Sequence, residues 1–132
     1  MAFQSVHRYA PVSARKARYV VDLIRGKDIN EALDILKFTS KRAAPMVRKV
    51  VRAAMAAADE AAADVDSLVV MTAKADDGPT QGGRLPRARG MATPLIHRTS
   101  HITVALATPD EMAANAARKQ KKQKRKEKAA KG

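Results

Sequence analysis

The chain has 132 residues, of which 26 are Lys or Arg and 13 are Asp or Glu, giving a formal net charge of +13. This length supports one domain of ordinary size and leaves no room for separate cofactor and substrate domains. The charge indicates a polyanionic partner, and the absence of cysteine excludes disulfides, thiolate metal sites and thiol nucleophiles.

Neither a secretory leader nor a membrane span is indicated. The N-terminus lacks a basic segment followed by an apolar one, and no stretch approaches the apolar length that crosses a bilayer. We therefore expect a cytoplasmic protein with no membrane partner. The aromatic residues Phe3, Tyr9, Tyr19 and Phe38 are too few for the stacking platforms of single-strand binders, so recognition should rest on charge and shape.

The first part of the chain predicts an extended arm followed by a helix. Residues 1–12 favour a short strand that ends at Pro11, which does not fit an ordinary helix interior. Ser13 is typical of an N-cap, and Gly26 is typical of the residue just beyond a helix end. The apolar face of this helix is predicted to comprise Ala17, Val20, Leu23 and Ile24.

Two further helices are predicted next. Asp28 and Glu31 have capping-box spacing and indicate the start of a short second helix. A third helix begins between Thr39 and Pro45, with either Ser40 as its cap or Pro45 in its first turn. The inward residues are predicted to be Ile29, Ala32, Leu33 and Leu36 in the second helix and Val47, Val50, Val51, Ala54 and Ala58 in the third.

The second half of the chain predicts two strands joined by a long excursion. The runs 68–74 and 102–107 are β-prone, and the stretch between them is rich in Gly and Pro. We expect an extended hairpin whose arms join the sheet only at their bases, leaving a cationic loop without an apolar core. Ordering such a loop costs about 1 to 2 kcal/mol per residue, which an enclosing partner must offset.

The positive charge is concentrated in two separate segments. Residues 109–132 hold nine basic and three acidic side chains, a net +6, whereas the rest of the chain carries 17 minus 10, or +7. From Gly78 to His101 there are four arginines, two histidines and no acidic residue. Arginine suits bidentate phosphate contacts and stacking on exposed bases, so this segment predicts RNA as the partner.

Other chemistry is only weakly indicated. His97 and His101 have a spacing that aligns metal ligands on a helix, but their neighbours favour a strand, so contact with phosphate or ribose is the better interpretation. Gly82 and Gly83 lack the Lys and Ser or Thr of a phosphate-cradling loop and are interpreted as a flexible loop. The acidic cluster of Asp59, Glu60, Asp64 and Asp66 lacks EF-hand spacing and is interpreted as a solvated face.

Several strings resemble those of the bacterial family of ribosomal large-subunit protein twenty-two. The likeness runs from about His7 to Leu106 in the same order, and the basic tail lies outside it. At the hairpin the chain departs from the family pattern, which has basic residues at the positions of Gly82, Gly83, Met91 and Pro94. The strings that carry the resemblance are SARKARYVVDLIRGK from Ser13 to Lys27, EALDIL from Glu31 to Leu36, DGP from Asp77 to Pro79, PRARG from Pro86 to Gly90 and RTSHITV from Arg98 to Val104.

The resemblance implies an α+β fold with three helices packed on a small three-stranded antiparallel sheet, a long extended β-hairpin and a basic C-terminal tail. In these terms residues 1–108 would be one globular RNA-binding domain, the hairpin would span about 76–101, and residues 109–132 would be a tail that is disordered or becomes helical on RNA. The hairpin tip, roughly Gly82 to Ala92, would pass through large-subunit RNA and form part of the peptide exit tunnel. The family is also associated with assembly of the large subunit.

The resemblance also implies partners and contacts. The partners would be large-subunit ribosomal RNA, neighbouring large-subunit ribosomal proteins and the nascent peptide in the tunnel, with no homo-oligomer. The residues expected to face the tunnel are Arg87, Ala88, Arg89 and Gly90. The candidate RNA contacts are Arg8, Arg15, Lys16, Arg18, Arg25, Lys27, Lys41, Arg42, Arg84, Arg87, Arg89, His97, Arg98, Ser100 and His101.

The main alternative from another class is a free-standing nucleic-acid chaperone or architectural protein, since charge alone predicts affinity for DNA as well as RNA. The long unsupported loop, which needs an enclosing partner, and the family strings favour a ribosomal protein instead. An enzyme ranks third, because no arrangement of residues suggests catalysis. We therefore expect no enzymatic activity, no cofactor and no metal site.

Overall fold

A computed structural model describes residues 2–114 and residue 117 and has an α+β arrangement of helices and strands. The elements in chain order are β1 at Phe3–Ala10, α1 at Ala14–Ile24, α2 at Ile29–Phe38, α3 at Ala44–Glu60, β2 at Val69–Pro86 and β3 at Ala92–Ala107. The two 3-10 turns are Val65–Ser67 and Ala88–Gly90.

A further helical segment makes four helices within the described residues, one more than predicted. Residues 109–114 are helical, and the amide of Met112 donates to the carbonyl of Thr108 at 3.1 Å. Pro109 supplies a fixed φ at the first helical position, and Asp110 and Glu111 place negative charge in the first turn, where the helix dipole favours it. The predicted tail thus begins as a helix, and most of it lies outside the described residues.

The three strands form one antiparallel sheet in the order β1-β3-β2, so β3 is central. On one side Phe3 pairs with Leu106 and His7 with Ile102. On the other side Val69 pairs with Ala107, and the ladder then continues along the whole of β2. Because β3 contributes both to the centre of the sheet and to the far end of the hairpin, one continuous strand connects the core to the tip.

The excursion predicted as an extended hairpin forms a two-stranded ladder almost to its tip, whereas the prediction placed only the bases of its arms in the sheet, with a loop beyond them. Pairing runs out to Pro86↔Ala92, and Gly82 and Gly83 pair with Ile96 and Leu95 rather than forming a flexible loop. Each strand of such a ribbon leaves its outer edge unpaired, and there a proline loses no ladder hydrogen bond. A Gly- and Pro-rich sequence can therefore remain in the strand conformation.

The helices cover the sheet and enclose the core. α1 packs on β2, α3 packs on β1 and β3, and α2 packs against α3. The predicted inward residues of α3 are all buried, as are those of α2 apart from the partly buried Leu33. In α1 the prediction failed at Leu23, which is 49% exposed, while Val21 is buried in its place.

The helix ends follow the sequence signals only in part. Ser13 and Asp28 occupy the N-cap positions without side-chain cap bonds, and Glu31 pairs with Lys27 instead of completing a capping box. α3 begins with Pro45 in its first turn, as one of the two alternatives predicted, and Ser40 lies before its start. The left-handed Gly26, with φ of 76°, ends α1 as predicted.

Candidate nucleic-acid interface

The hairpin beyond the body is exposed along its whole length. Every residue from 79 to 98 is exposed, so this part of the chain has no core of its own, as predicted. Within the described residues, none of Arg84, Arg87, Arg89 and Arg98 forms an ion pair. Four uncompensated guanidinium groups on an unsupported ribbon favour binding to phosphates, which would neutralise them.

The strand register sorts the hairpin side chains onto two faces. Residues paired directly across an antiparallel ladder share a face, and so do residues two apart on one strand. Arg84 is opposite Pro94 and Arg98 is opposite Thr80, so both arginines lie on one face. The other face carries Leu85, Leu95 and His97, and its charge is therefore much lower.

The tip is tighter than the sequence suggested. The amide of Arg87 donates to the carbonyl of Met91 at 2.7 Å, which closes the turn around Ala88–Gly90. Arg89 and Gly90 both have positive φ, at 61° and 70°. The tip therefore comprises residues 87–91, narrower than the predicted span of Gly82 to Ala92, and it presents two exposed arginines.

The predicted contacts on α1 and just after it are of two kinds. Arg15 and Lys16 are exposed, and no hydrogen bond or ion pair joins the side chain of either to another described residue. Arg18 donates to the carbonyl of Ala75 at 3.1 Å, and Arg25 donates to the carbonyl of Ala73 at 2.7 Å. Arg18 and Arg25 thus tie α1 to β2 while half of each side chain stays exposed.

Acidic neighbours partly neutralise three of the predicted contact residues on α1 and just after it. Arg25 pairs with Asp22 at 2.8 Å, Lys27 pairs with Glu31 at 2.7 Å, and Arg18 lies 3.4 Å from Asp77. Exposed pairs of this kind contribute little stability, roughly 0 to 1 kcal/mol each. They do reduce the positive charge that these residues offer to a polyanion, so Arg15 and Lys16 are the stronger candidates.

Two polar residues at the base of the hairpin, Ser100 and His101, differ in solvent exposure. Ser100 is fully buried, and its hydroxyl has no hydrogen-bond partner among the described residues. Its side chain therefore does not reach a partner surface, which contradicts its prediction as an RNA contact. His101 is partly exposed, and its Nδ1 accepts a hydrogen bond from the amide of Tyr9 at 3.1 Å.

Five predicted contacts, distant in sequence, come together around one open groove of about 1320 Å³. Its walls are α1, the connection between α2 and α3, and the base of the hairpin. Tyr19, Leu23 and Ile96 contribute apolar surface, and no acidic residue lines it. The basic residues around it are Lys16, Lys41, Arg42, His97 and Arg98.

The sequence interpretation missed the apolar part of this groove. Tyr19 is 64% exposed and Ile96 is 53% exposed, so neither belongs to the core. The signal in the sequence was the spacing of Lys16, Tyr19 and Leu23, which are three and four residues apart and therefore share a helix face. Leu23 was assigned to the core face, where Val21, two positions earlier, is buried instead.

Arg8 and the acidic cluster complete the set of predicted sites. Arg8 is exposed on β1, in the irregular pairing between His7 and Ala10. Asp64 accepts a hydrogen bond from the amide of Asp66 at 3.3 Å and so caps the 3-10 turn before β2. Among the described residues no group of three or more metal-ligating side chains converges, and no helix is long and apolar enough to cross a membrane.

The small α+β body, the acid-free cationic groove and the exposed arginine ribbon define a basic protein of the class that binds structured nucleic acid. The family model described as ribosomal protein L22p/L17e matches residues 5–107, and the chain belongs to this family. It is thus a structural protein of the large ribosomal subunit that binds ribosomal RNA and takes part in translation. Its partners are ribosomal RNA and other ribosomal proteins.

Proposed function

We propose that the protein inserts its β2–β3 hairpin into large-subunit ribosomal RNA, helps the subunit to assemble, and lines the peptide exit tunnel with its tip. The observation that supports this most directly is the ribbon of residues 79–98, every one of them exposed and none acidic. A structure with no core and several uncompensated arginines is stabilised when RNA surrounds it, because phosphates neutralise the charge.

The proposal assigns different tasks to different parts of the hairpin. Arg84 and Arg98, on one face, contact phosphates along the two-stranded part of the hairpin. The less charged face is free to pack against bases or neighbouring proteins. At the tip, Arg87, Ala88, Arg89 and Gly90 face the nascent peptide. The domain of residues 1–108 then acts as an anchor on cytoplasmic ribosomes, with no catalytic activity, no cofactor and no homo-oligomer.

Sedimentation of a tagged copy from cell lysate through a sucrose gradient, before and after a high-salt wash, tests this function. The matched variant replaces residues 82–96 by Asn-Gly, which closes a two-residue hairpin on the Gln81↔His97 pair. We expect the intact chain to remain with large subunits after the wash and the shortened chain to be lost or to accumulate in incomplete particles. Release of the intact chain as salt rises would instead support a free-standing nucleic-acid chaperone.

The tunnel role has its own test because the chain contains no cysteine. Ala88→Cys places a single thiol at the tip, and Ala57→Cys places one on the exposed surface of α3 as a control. On ribosomes that carry a stalled nascent chain, a thiol-specific cross-linker should join the peptide to the tip variant only. Equal cross-linking from both positions, or none from the tip, would refute the tunnel assignment.

A further inference from the structure

The groove between α1, the α2–α3 connection and the base of the hairpin combines two surfaces that call for different partners. Tyr19, Leu23 and Ile96 expose 64%, 49% and 53% of their surface, which leaves an apolar patch within the groove in contact with solvent. Lys16 and Arg42 border the same patch. An occupant that satisfies both surfaces must be anionic and must also carry an apolar face.

A regular RNA helix meets only half of this requirement. Its surface offers phosphates and sugars, while its bases are stacked inside and cannot reach an apolar patch. A nucleotide turned out of its helix presents a flat base that stacks on an aromatic ring, and its phosphates stay on either side of it. The groove offers the ring of Tyr19 for the base and cations on two sides for the phosphates.

We propose that this groove binds one unstacked nucleotide of ribosomal RNA, with its base against Tyr19 and its flanking phosphates on Lys16, Lys41, Arg42 and Arg98. The inference rests on the proposed function and deepens it, because it adds a local base-stacking contact to recognition otherwise based on charge and shape. Leu23 and Ile96 flank the base, and their exposure is explained by that contact.

The position of Ile96 supports a site formed jointly by body and hairpin. Ile96 lies on β3 opposite Gly82, and its neighbours His97 and Arg98 also line the groove. Lys41 and Arg42 come from the α2–α3 connection, far away in sequence. A nucleotide held between these elements would fix the hairpin relative to the body, so binding there would also set the direction of the hairpin.

Tyrosine fluorescence gives a direct test, since the chain has two tyrosines and no tryptophan. In the full chain carrying Tyr9→Phe, Tyr19 is the only emitter. The probes are an RNA stem-loop with one bulged uridine and the same stem-loop with an abasic nucleotide at the bulge, which keeps every phosphate. We expect the bulged uridine to quench Tyr19 emission and the abasic probe to quench it much less.

Affinity measurements on variants of the full chain complete the test. Tyr19→Ala should weaken binding of the bulged RNA between about fivefold and 150-fold, the range expected for one stacked base, and leave the abasic probe unaffected. Tyr19→Phe should restore affinity to within about twofold, as expected of a ring that only stacks. Phe38→Ala is the matched control, because Phe38 is 83% exposed and does not line the groove.

The phosphate contacts assigned to Lys41 and Arg42 are tested separately, by the salt dependence of RNA affinity. Replacing Lys41 and Arg42 together by glutamine should lower the slope of log affinity against log salt by roughly 1.4 to 1.8, corresponding to two lost phosphate contacts. Tyr19→Ala should leave that slope unchanged, because the tyrosine ring carries no charge. A slope that falls equally in both variants would overturn the assignment of base and phosphates.

Three other outcomes decide the matter. If Tyr19→Ala binds as tightly as the parent chain while RNA binding persists, the inference fails and the proposed function stands. If an amphipathic Glu- and Leu-rich peptide quenches Tyr19 and the bulged RNA does not, a protein segment is the occupant. If the full chain binds neither RNA in any variant, the inference and the proposed function fail together.

Discussion

The backbone amide of Tyr9 donates a hydrogen bond to Nδ1 of His101 at 3.1 Å, and the two rings meet edge to face with centroids 4.9 Å apart. An imidazole nitrogen that accepts a hydrogen bond carries no proton, so the proton of the neutral ring lies on Nε2. The strand irregularity at Tyr9, where φ is 57°, turns that amide towards His101. His101 is therefore fixed as a donor through Nε2.

This relationship predicts the tautomer of His101 in solution. Long-range proton–nitrogen NMR spectra of the full chain at mildly alkaline pH should show Nδ1 unprotonated and Nε2 protonated for His101. The exposed His97 provides an internal reference. A spectrum in which His101 carries its proton on Nδ1 would contradict the hydrogen bond. As a donor, Nε2 suits a phosphate or ribose oxygen, which agrees with the predicted role of this residue.

Gly78 should be essential for packing at the base of the hairpin. A Cβ at this position would lie 2.5 Å from Oγ1 of Thr99 and 3.1 Å from its carbonyl carbon, so Gly78→Ala should destabilise the protein by about 1 to 3 kcal/mol. Gly82→Ala is the control, because a Cβ there meets nothing within 4 Å. Urea unfolding followed by circular dichroism measures both, and equal stability of the two variants would refute the predicted clash.

Ser100→Ala should make the protein more stable. The hydroxyl of Ser100 is buried and has no partner among the described residues, so its removal relieves a desolvation cost of about 1 kcal/mol. Thr99→Ala is the comparison, since Oγ1 of Thr99 donates to the carbonyl of Pro79 at 2.6 Å and its loss should lower stability. A marked loss of RNA affinity in Ser100→Ala, with unchanged stability, would restore Ser100 as a direct contact.

Arg25 and Arg15 should separate structural from binding roles. Arg25→Ala removes hydrogen bonds to the carbonyl of Ala73 at 2.7 and 3.3 Å and should reduce the free energy of unfolding by about 0.5 to 1.5 kcal/mol. Arg15→Ala should leave stability unchanged, because Arg15 is exposed, but should lower the salt slope of RNA binding by roughly 0.7 to 0.9. Equal losses of stability in the two variants would contradict this division.

Shortening the hairpin should leave the body folded. Residues 82–96 are all exposed, so their replacement by Asn-Gly should change the free energy of unfolding by less than about 0.5 kcal/mol. It removes Arg84, Arg87 and Arg89, so the salt slope of RNA binding should fall by roughly 2 to 3. Loss of helical circular dichroism in this variant would show that the hairpin supports the core.

The helices and the body strands were predictable because their signals are local. The stripe of Val47, Val50 and Val51 repeats with the helical period, and Gly26 marks a helix end by its conformational freedom. Leu23 was misassigned because Val21 and Leu23 are both apolar, and only the position of β2 decides which one is buried. Local periodicity does not contain that information.

The hairpin and the groove required tertiary information. Gly82 and Gly83 have low strand propensity, yet they pair with β3 because the ladder is fixed by the arms below them. The groove depends on three elements meeting. Its cations were predicted individually, and the helical spacing of Lys16 and Tyr19 places them on one face, but no local pattern brings Ile96 beside Tyr19. Ser100 was assigned as a contact by resemblance, and its burial follows from its position on the central strand.

The irregular pairing between Asp77 and Thr80, where a Cβ on Gly78 would meet Thr99, lies at the point where the hairpin leaves the body. From Thr80 to Pro86 the ribbon extends about 20 Å at the usual rise of a strand. A change of about 10° in the direction of the ribbon at this irregularity would therefore displace its far end by about 3.5 Å, more than the length of a hydrogen bond. The position of the arginines at the tip therefore depends on the angle at which the hairpin leaves the body.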